Sequence, residues 1–152
     1  MNYREIEGDL INKAKNGEFD LITHGCNCMK TFGAGIALTI KKKFPLAYMA
    51  DLQSTSRLGE ISICDDYKEC IIVNSYTQIH PGSNSHGKDS DNNRYLAIES
   101  CMRKINEQFK GQHIGLPLIG CGLAGLKWSK VKKIIKKELI DMEVTVVKYN
   151  PK

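Results

Sequence analysis

The run that most constrains this chain begins Ile22-Thr23-His24-Gly25-Cys26-Asn27-Cys28 and continues to Gly33-Ala34-Gly35-Ile36-Ala37. Leu21, Ile22 and Thr23 have the character of the end of a buried strand. Gly33 and Gly35 open a helix that runs on through Leu38 and Ile40. His24, Asn27 and two thiols are expected between strand and helix. A strand that ends in polar groups and leads through glycines into a helix is how α/β proteins hold an anion. The glycines let backbone approach a ligand, and the helix start offers unpaired N–H groups with partial positive charge.

The rest of the chain supplies the same grammar. Residues 3–6 are expected as an edge strand, and Asp9 caps a short helix carrying Leu10, Ile11 and Ala14. Contact with a ligand is the alternative role for Asp9. Residues 19–23 form the central strand. Pro45 ends the first long helix and opens another, with Leu46, Met49 and Leu52 expected inward. Residues 61–64 and 70–73 read as a hairpin around Asp65-Asp66. A long polar loop spans 80–93, and a loop of that length inside a compact domain is functional or mobile. An amphipathic helix follows, then a buried strand, and then a second glycine loop, Gly120-Cys121-Gly122-Leu123-Ala124-Gly125. Trp128 and Ser129 start the last helix, with Trp128 read as core. The final strand ends before Tyr149. Alternating strands and helices predict an α/β chain, a three-layer fold with a mixed central sheet between helices. Both glycine loops then share the rim where open sheets bind ligands.

Composition narrows the partners. At 152 residues the chain is expected to be one domain, 1–152. No apolar run approaches membrane-spanning length and no signal peptide is seen, so a cytoplasmic, membrane-free monomer is expected. Six scattered cysteines suit a reducing compartment better than a disulfide framework. The net charge of +5 comes partly from lysines on two helices, read as solvated faces. Nucleic acid is not expected as a partner, because nothing aromatic interleaves with those lysines. His24, Cys26 and Cys28 could converge on one strand face, but no second ligand pair completes a tetrahedral site. Neither a metal nor a cofactor is expected.

Four segments, in order and spacing, resemble the macro domain, a family that binds ADP-ribose. They are Glu7-Gly8-Asp9-Leu10, Ile22-Thr23-His24-Gly25-Cys26-Asn27, Gly33-Ala34-Gly35-Ile36-Ala37 and Ile119-Gly120-Cys121-Gly122-Leu123. Within the family the chain is similar to the branch holding the ADP-ribose 1''-phosphate phosphatase and the terminal ADP-ribose protein glycohydrolase. His24 to Cys28 and Ser85-His86-Gly87 resemble the former, and Gly120 to Leu123 with Trp128 resembles the latter.

The resemblance implies roles. Asp9 and the Leu10 backbone would take the adenine, and Tyr149 would flank it. Asn27 would hold the distal ribose. Gly33, Ala34, Gly35 and Ile36 would wrap that ribose and the nearer phosphate. Gly120, Cys121, Gly122, Leu123, Ala124 and Gly125 would cradle the diphosphate with backbone N–H groups. His24 and Asn27 would be catalytic, with His24 near C1'' as general acid/base or orienting water. Against this stands a satisfied structural histidine at position 24. The glycohydrolase's lysine and aspartate are matched by Tyr76 and Ala124, so its covalent chemistry is not expected. Lys88 is a conceivable substitute. Gly122 is expected to tolerate no side chain, because such a nest needs positive φ or a missing Cβ.

The activity implied is removal of the terminal phosphate of ADP-ribose 1''-phosphate. The alternatives are a non-catalytic ADP-ribose-binding module, or a hydrolase releasing ADP-ribose from modified protein or nucleic acid.

Overall fold

The computed structural model describes residues 2–83 and 87–150. The elements run β1 (Tyr3–Gly8), α1 (Leu10–Lys15), β2 (Leu21–Asn27), α2 (Gly35–Lys43), α3 (Pro45–Gln53), β3 (Ile61–Cys64), β4 (Ile71–Gln78), α4 (Asp91–Gln108), β5 (His113–Leu116), α5 (Trp128–Glu138) and β6 (Glu143–Tyr149). The six strands form one sheet in the order β1-β6-β5-β2-β4-β3. Every neighbouring pair is parallel except β3 with β4, the hairpin at one edge.

Helices cover both faces. On one side α4 and α5 bury Ile98, Met102, Ile105, Val131 and Ile135 against the sheet. On the other, α1, α2 and α3 bury Leu10, Ile11, Ile40 and Ala47. A strand covered on both sides has no solvent face, so alternation vanishes from its sequence. In β4, Ile72, Val73, Asn74, Ser75, Tyr76 and Thr77 are all buried.

Three sequence expectations change. The central strand starts at Leu21 and reaches Asn27, because β2 keeps pairing with β4 up to Asn27 opposite Gln78. His24 and Cys26 are therefore strand residues, not loop residues. On α3, Leu46, Met49 and Leu52 face outward, and the buried positions are Ala47 and Asp51. That helix crosses Asn74 and Tyr76, whose polar atoms need partners. Asn74 Nδ2 donates to the Ala47 carbonyl at 3.0 Å, and the Tyr76 hydroxyl donates to Asp51 Oδ1 at 2.7 Å. The polar stripe of α3 is thus the one that satisfies the sheet beneath it. Finally, the long polar loop is anchored. Its end forms a 3₁₀ turn (Gly87–Asp89), Ser90 caps α4, and the buried Asp89–Arg94 pair closes at 2.6 Å.

Candidate functional site

Parallel strands β2 and β5 are neighbours, so the loops leaving their C-terminal ends lie side by side. Between them opens a cavity of about 740 Å³. That is ample room for a nucleotide-sized ligand. Asp9, Leu10, Asn27, Gly33, Ala34, Gly35, Ile36, Gly120, Cys121, Gly122, Leu123, Ala124 and Tyr149 all line it.

The first glycine loop feeds α2. Ala34 is the residue before the helix and makes no side-chain cap, so the N–H groups of the first turn have no partner inside the helix. The second loop folds on itself. Cys121 N–H donates to the Leu118 carbonyl, Gly125 N–H to Gly122, and Leu126 N–H to Gly120. These three bonds leave the N–H groups of Gly122, Leu123 and Ala124 without an acceptor among the described residues. Two adjacent clusters of unpaired donors on one cavity make a site for an anion with several oxygens.

The far end is built differently. Gly8 and Tyr149 are register partners across β1 and β6, which brings Asp9 and Tyr149 together. Asp9 caps α1 through Oδ1, which accepts from Asn12 N–H at 3.1 Å. Its second carboxylate oxygen is left out of the cap, so capping does not exclude contact with a ligand. Tyr149 is 76% exposed and offers a free aromatic face.

A family model described as Macro domain matches residues 23–135. This chain belongs to the macro domain family. It is 29% identical over 163 residues to an uncharacterized 17.5 kDa protein of Enterobacteria phage T4, covering 99% of both chains. It is 26% identical to the ADP-ribose 1''-phosphate phosphatase of Lodderomyces elongisporus, covering 97% of this chain and 99% of that one. It is also 26% identical to a DNA ADP-ribosyl transferase-DNA ADP-ribosyl glycohydrolase fusion protein of Thermosipho africanus, of which it spans 42%. The solved structure of Thermosipho africanus DarTG in complex with ADP-ribose shares the fold, with a TM-score of 0.74 over 99% of this chain, 42% of that chain and 24% identity.

Two of the residues expected at the site of this macro domain lie elsewhere. His24 is fully buried and does not line the cavity. Its Nε2 bonds Asn74 Oδ1 at 2.7 Å, Phe32 meets the ring edge-on, and Cys26 Sγ lies 3.5 Å away on the cavity side. Burial pushes its pKa down to about 4, opposed by the Asn74 bond, so the ring is neutral at pH 7. The structure thus places His24 as a neutral imidazole enclosed behind the cavity wall. Gly125 also stays out of the cavity, and its N–H donates to the Gly122 carbonyl.

Other residues shift in meaning. Asn27 reaches the cavity, but its amide is occupied: Nδ2 donates to the Thr31 carbonyl and Oγ1, and Oδ1 accepts from Met29 N–H. Asn27 therefore shapes the loop and has only a spare lone pair to offer. Cys121 is half-buried with its thiol pKa raised to about 11 by burial, which makes it unreactive packing. Gly122 has ordinary φ and open space where a Cβ would stand, whereas Gly120, at φ 75° and close to Leu126 and Ile98, is a position where a side chain would be strained. Tyr76, the position matching the glycohydrolase lysine, is buried. The cavity-lining residue at the end of β4 is Gln78. Lys88 lies in the 3₁₀ turn and does not line the cavity. His86 and Ser85 fall outside the described residues. No group of three His, Cys, Asp or Glu that could hold a metal is present among the described residues. No helix among them is long and apolar enough to cross a membrane.

Sequence reasoning missed Gln78 and Gly25. Gly25 lines the cavity, and a Cβ there would stand 2.8 Å from Thr77 Oγ1 and 3.3 Å from Ile119. Alternation along β4 does not reach Gln78, because the register shifts between Cys26–Tyr76 and Asn27–Gln78 and turns that position onto the face of Asn27.

Proposed function

We propose that the cavity binds ADP-ribose and that the macro domain hydrolyses the terminal phosphate of ADP-ribose 1''-phosphate. One observation carries the reading: two neighbouring glycine loops aim unpaired backbone N–H groups into one cavity, with Asp9 and Tyr149 at its other end. The Gly122, Leu123 and Ala124 amides and the α2 N-terminus take the diphosphate. Asp9 accepts from the adenine amino group, and Tyr149 covers the ring. The distal ribose then lies at the Asn27 and Gln78 end, with C1'' and its phosphate beside the mouth of the first glycine loop.

With His24 enclosed, no histidine among the described residues lines the cavity. Positioning and electrostatic stabilisation carry the rate instead. Backbone dipoles hold the substrate rigidly and stabilise charge that develops on the departing oxygen, at no cost of reorganisation during the reaction. The similarity to the Lodderomyces phosphatase along nearly the whole chain supports this reading.

Release of ADP-ribose from modified nucleic acid or protein is a second reading, favoured by the similarity to the Thermosipho fusion protein. It requires chemistry without an amine nucleophile, because Gln78 and Ala124 line the site. Incubation with ADP-ribose 1''-phosphate, ADP-ribosylated DNA and ADP-ribosylated protein in parallel separates the readings. Phosphate release from the first, absent in Gly122→Glu, is the expected result. Release of ADP-ribose from either polymer with no phosphate from the first substrate favours the second reading.

A further inference from the structure

Gln78 ends β4 on the cavity wall, opposite Asn27 in the register of β2 and β4. Its amide is held from behind. The Nε2 atom lies 2.8 Å from the His80 carbonyl and 3.3 Å from the Gly82 carbonyl. Both neighbours are acceptors only, so the NH2 end of the amide must face them, and the orientation is fixed by chemistry. That leaves Oε1 as the free polar atom of a cavity-lining side chain, with no donor for it among the described residues.

The carbonyls that hold Gln78 are themselves fixed. The Arg94 guanidinium donates to the Gly82 carbonyl at 2.7 Å and to His80 at 3.3 Å. Asp89 pairs with the same guanidinium and accepts the N–H groups of Ile79 and His80 at 2.8 and 3.0 Å. Arg94 and Asp89 are buried to 1% and 3% exposure. A buried ion pair in full hydrogen-bond register resists movement, since breaking it strands a charge away from water. The chain of contacts therefore runs from an enclosed ion pair, through two loop carbonyls, to one amide whose oxygen is free at the distal end of the cavity.

We propose that Gln78 orients the attacking water through Oε1. The inference rests on the hydrolase reading above. The water donates one hydrogen bond to Oε1, which points its lone pair at the substrate phosphorus. The new bond forms between the water oxygen and phosphorus. The P–O1'' bond breaks with its electron pair on O1''. One water proton ends on O1'' and the other stays on the released phosphate, so no outside base or co-reactant is consumed. Gln78 takes no proton itself. Its contribution is direction, which a side chain with one exposed acceptor and a tethered donor end can supply.

The test is steady-state kinetics on ADP-ribose 1''-phosphate for wild type and Gln78→Leu, with the ADP-ribose-induced thermal shift measured on both. Leucine keeps the volume and removes the acceptor. The expected result is a kcat at least tenfold lower, with KM and the ligand-induced shift within about twofold of wild type. Gln78→Glu supplies a second reading. Ionised, it repels the two loop carbonyls and the phosphate. Protonated, it can donate to one carbonyl and keep an acceptor free. Its kcat relative to wild type is expected to rise as pH falls through the carboxyl range. An active wild type matched by Gln78→Leu overturns the inference alone. Loss of ADP-ribose binding in Gln78→Leu in step with the activity also overturns it, by showing a structural role. A wild type that binds ADP-ribose but releases no phosphate fails the hydrolase reading, and this inference falls with it.

Discussion

Gly120 and Gly122 stand two residues apart in the same loop, and they are glycines for different reasons. Gly120 has φ 75°, and a Cβ there would lie 3.0 Å from Leu126 Cδ1 and 3.2 Å from Ile98 Cδ1. It faces the core, and both its conformation and its surroundings refuse a side chain. Gly122 has ordinary φ and nothing within 4 Å of the same virtual atom. It faces the cavity, and the space it leaves is the ligand's. One glycine keeps the loop folded, and the other keeps it empty. The same contrast separates Gly25, crowded by Thr77, from the open Gly33.

The sharpest way to break this comparison is to fill both positions. Gly120→Val combines a β-branched residue at positive φ with overpacking against two core side chains. It should cost about 3 kcal/mol or more of stability, read as a lower midpoint in chemical denaturation. A Gly120→Val protein as stable as wild type would mean that the loop can be rebuilt freely, and that its donors are not fixed by the fold. Gly122→Glu should leave the unliganded midpoint within about 0.5 kcal/mol of wild type, as an exposed substitution does.

His24 supplies a second test, of what lies beneath the cavity floor. Its pKa falls from the usual 6.5 to about 4 on folding, through burial. Between those values the unfolded chain binds the proton and the folded one does not. Stability from this residue is therefore complete above pH 6.5 and is lost as pH falls toward 4. From pH 6.5 to 5 the loss is about 2 kcal/mol, above the range where carboxylates titrate. His24→Gln should flatten that part of the profile when the two proteins are compared by denaturation at each pH. An unchanged slope would place His24 in contact with solvent and reopen a role for it in the cavity.

A smaller loss of stability than at Gly120 or His24 is expected at Asp9. Asp9→Ala removes the cap of α1, worth about 1 kcal/mol. The account expects it to weaken ADP-ribose binding beyond that, through loss of the acceptor at the adenine end. A destabilised variant with undiminished affinity would confine Asp9 to its structural role.

The layers and the two loops were legible because glycine-rich turns after strands are strong local signals, and both survive in the fold at 33–35 and 120–125. What failed was everything that depends on which side of an element is covered. Leu46, Met49 and Leu52 mark a stripe of α3, but spacing cannot say whether that stripe or the one with Ala47 and Asp51 meets the sheet. The buried Asn74 and Tyr76 decided it, and a covered strand hides its own parity. The position of His24 is hard to read from sequence for a related reason. Polar residues at a strand end suggest solvent, yet β2 continues for three residues beyond it, and Asn74 on the next strand gives the ring a partner. Gln78 stayed hidden because β4 was ended five residues early, before the point where it emerges from between the helices onto the cavity wall.

Titration calorimetry with ADP-ribose, on wild type and on Gly122→Glu, tests directly whether the Gly122, Leu123 and Ala124 amides hold the diphosphate. The account predicts saturable one-to-one binding to wild type. It predicts none detectable to Gly122→Glu, because the added carboxylate fills the open space beside the Gly122, Leu123 and Ala124 amides and repels the diphosphate. The variant's unchanged midpoint would show that the fold is intact. Equal affinity in the two proteins would contradict the account, because the diphosphate would then have to sit somewhere other than on these amides.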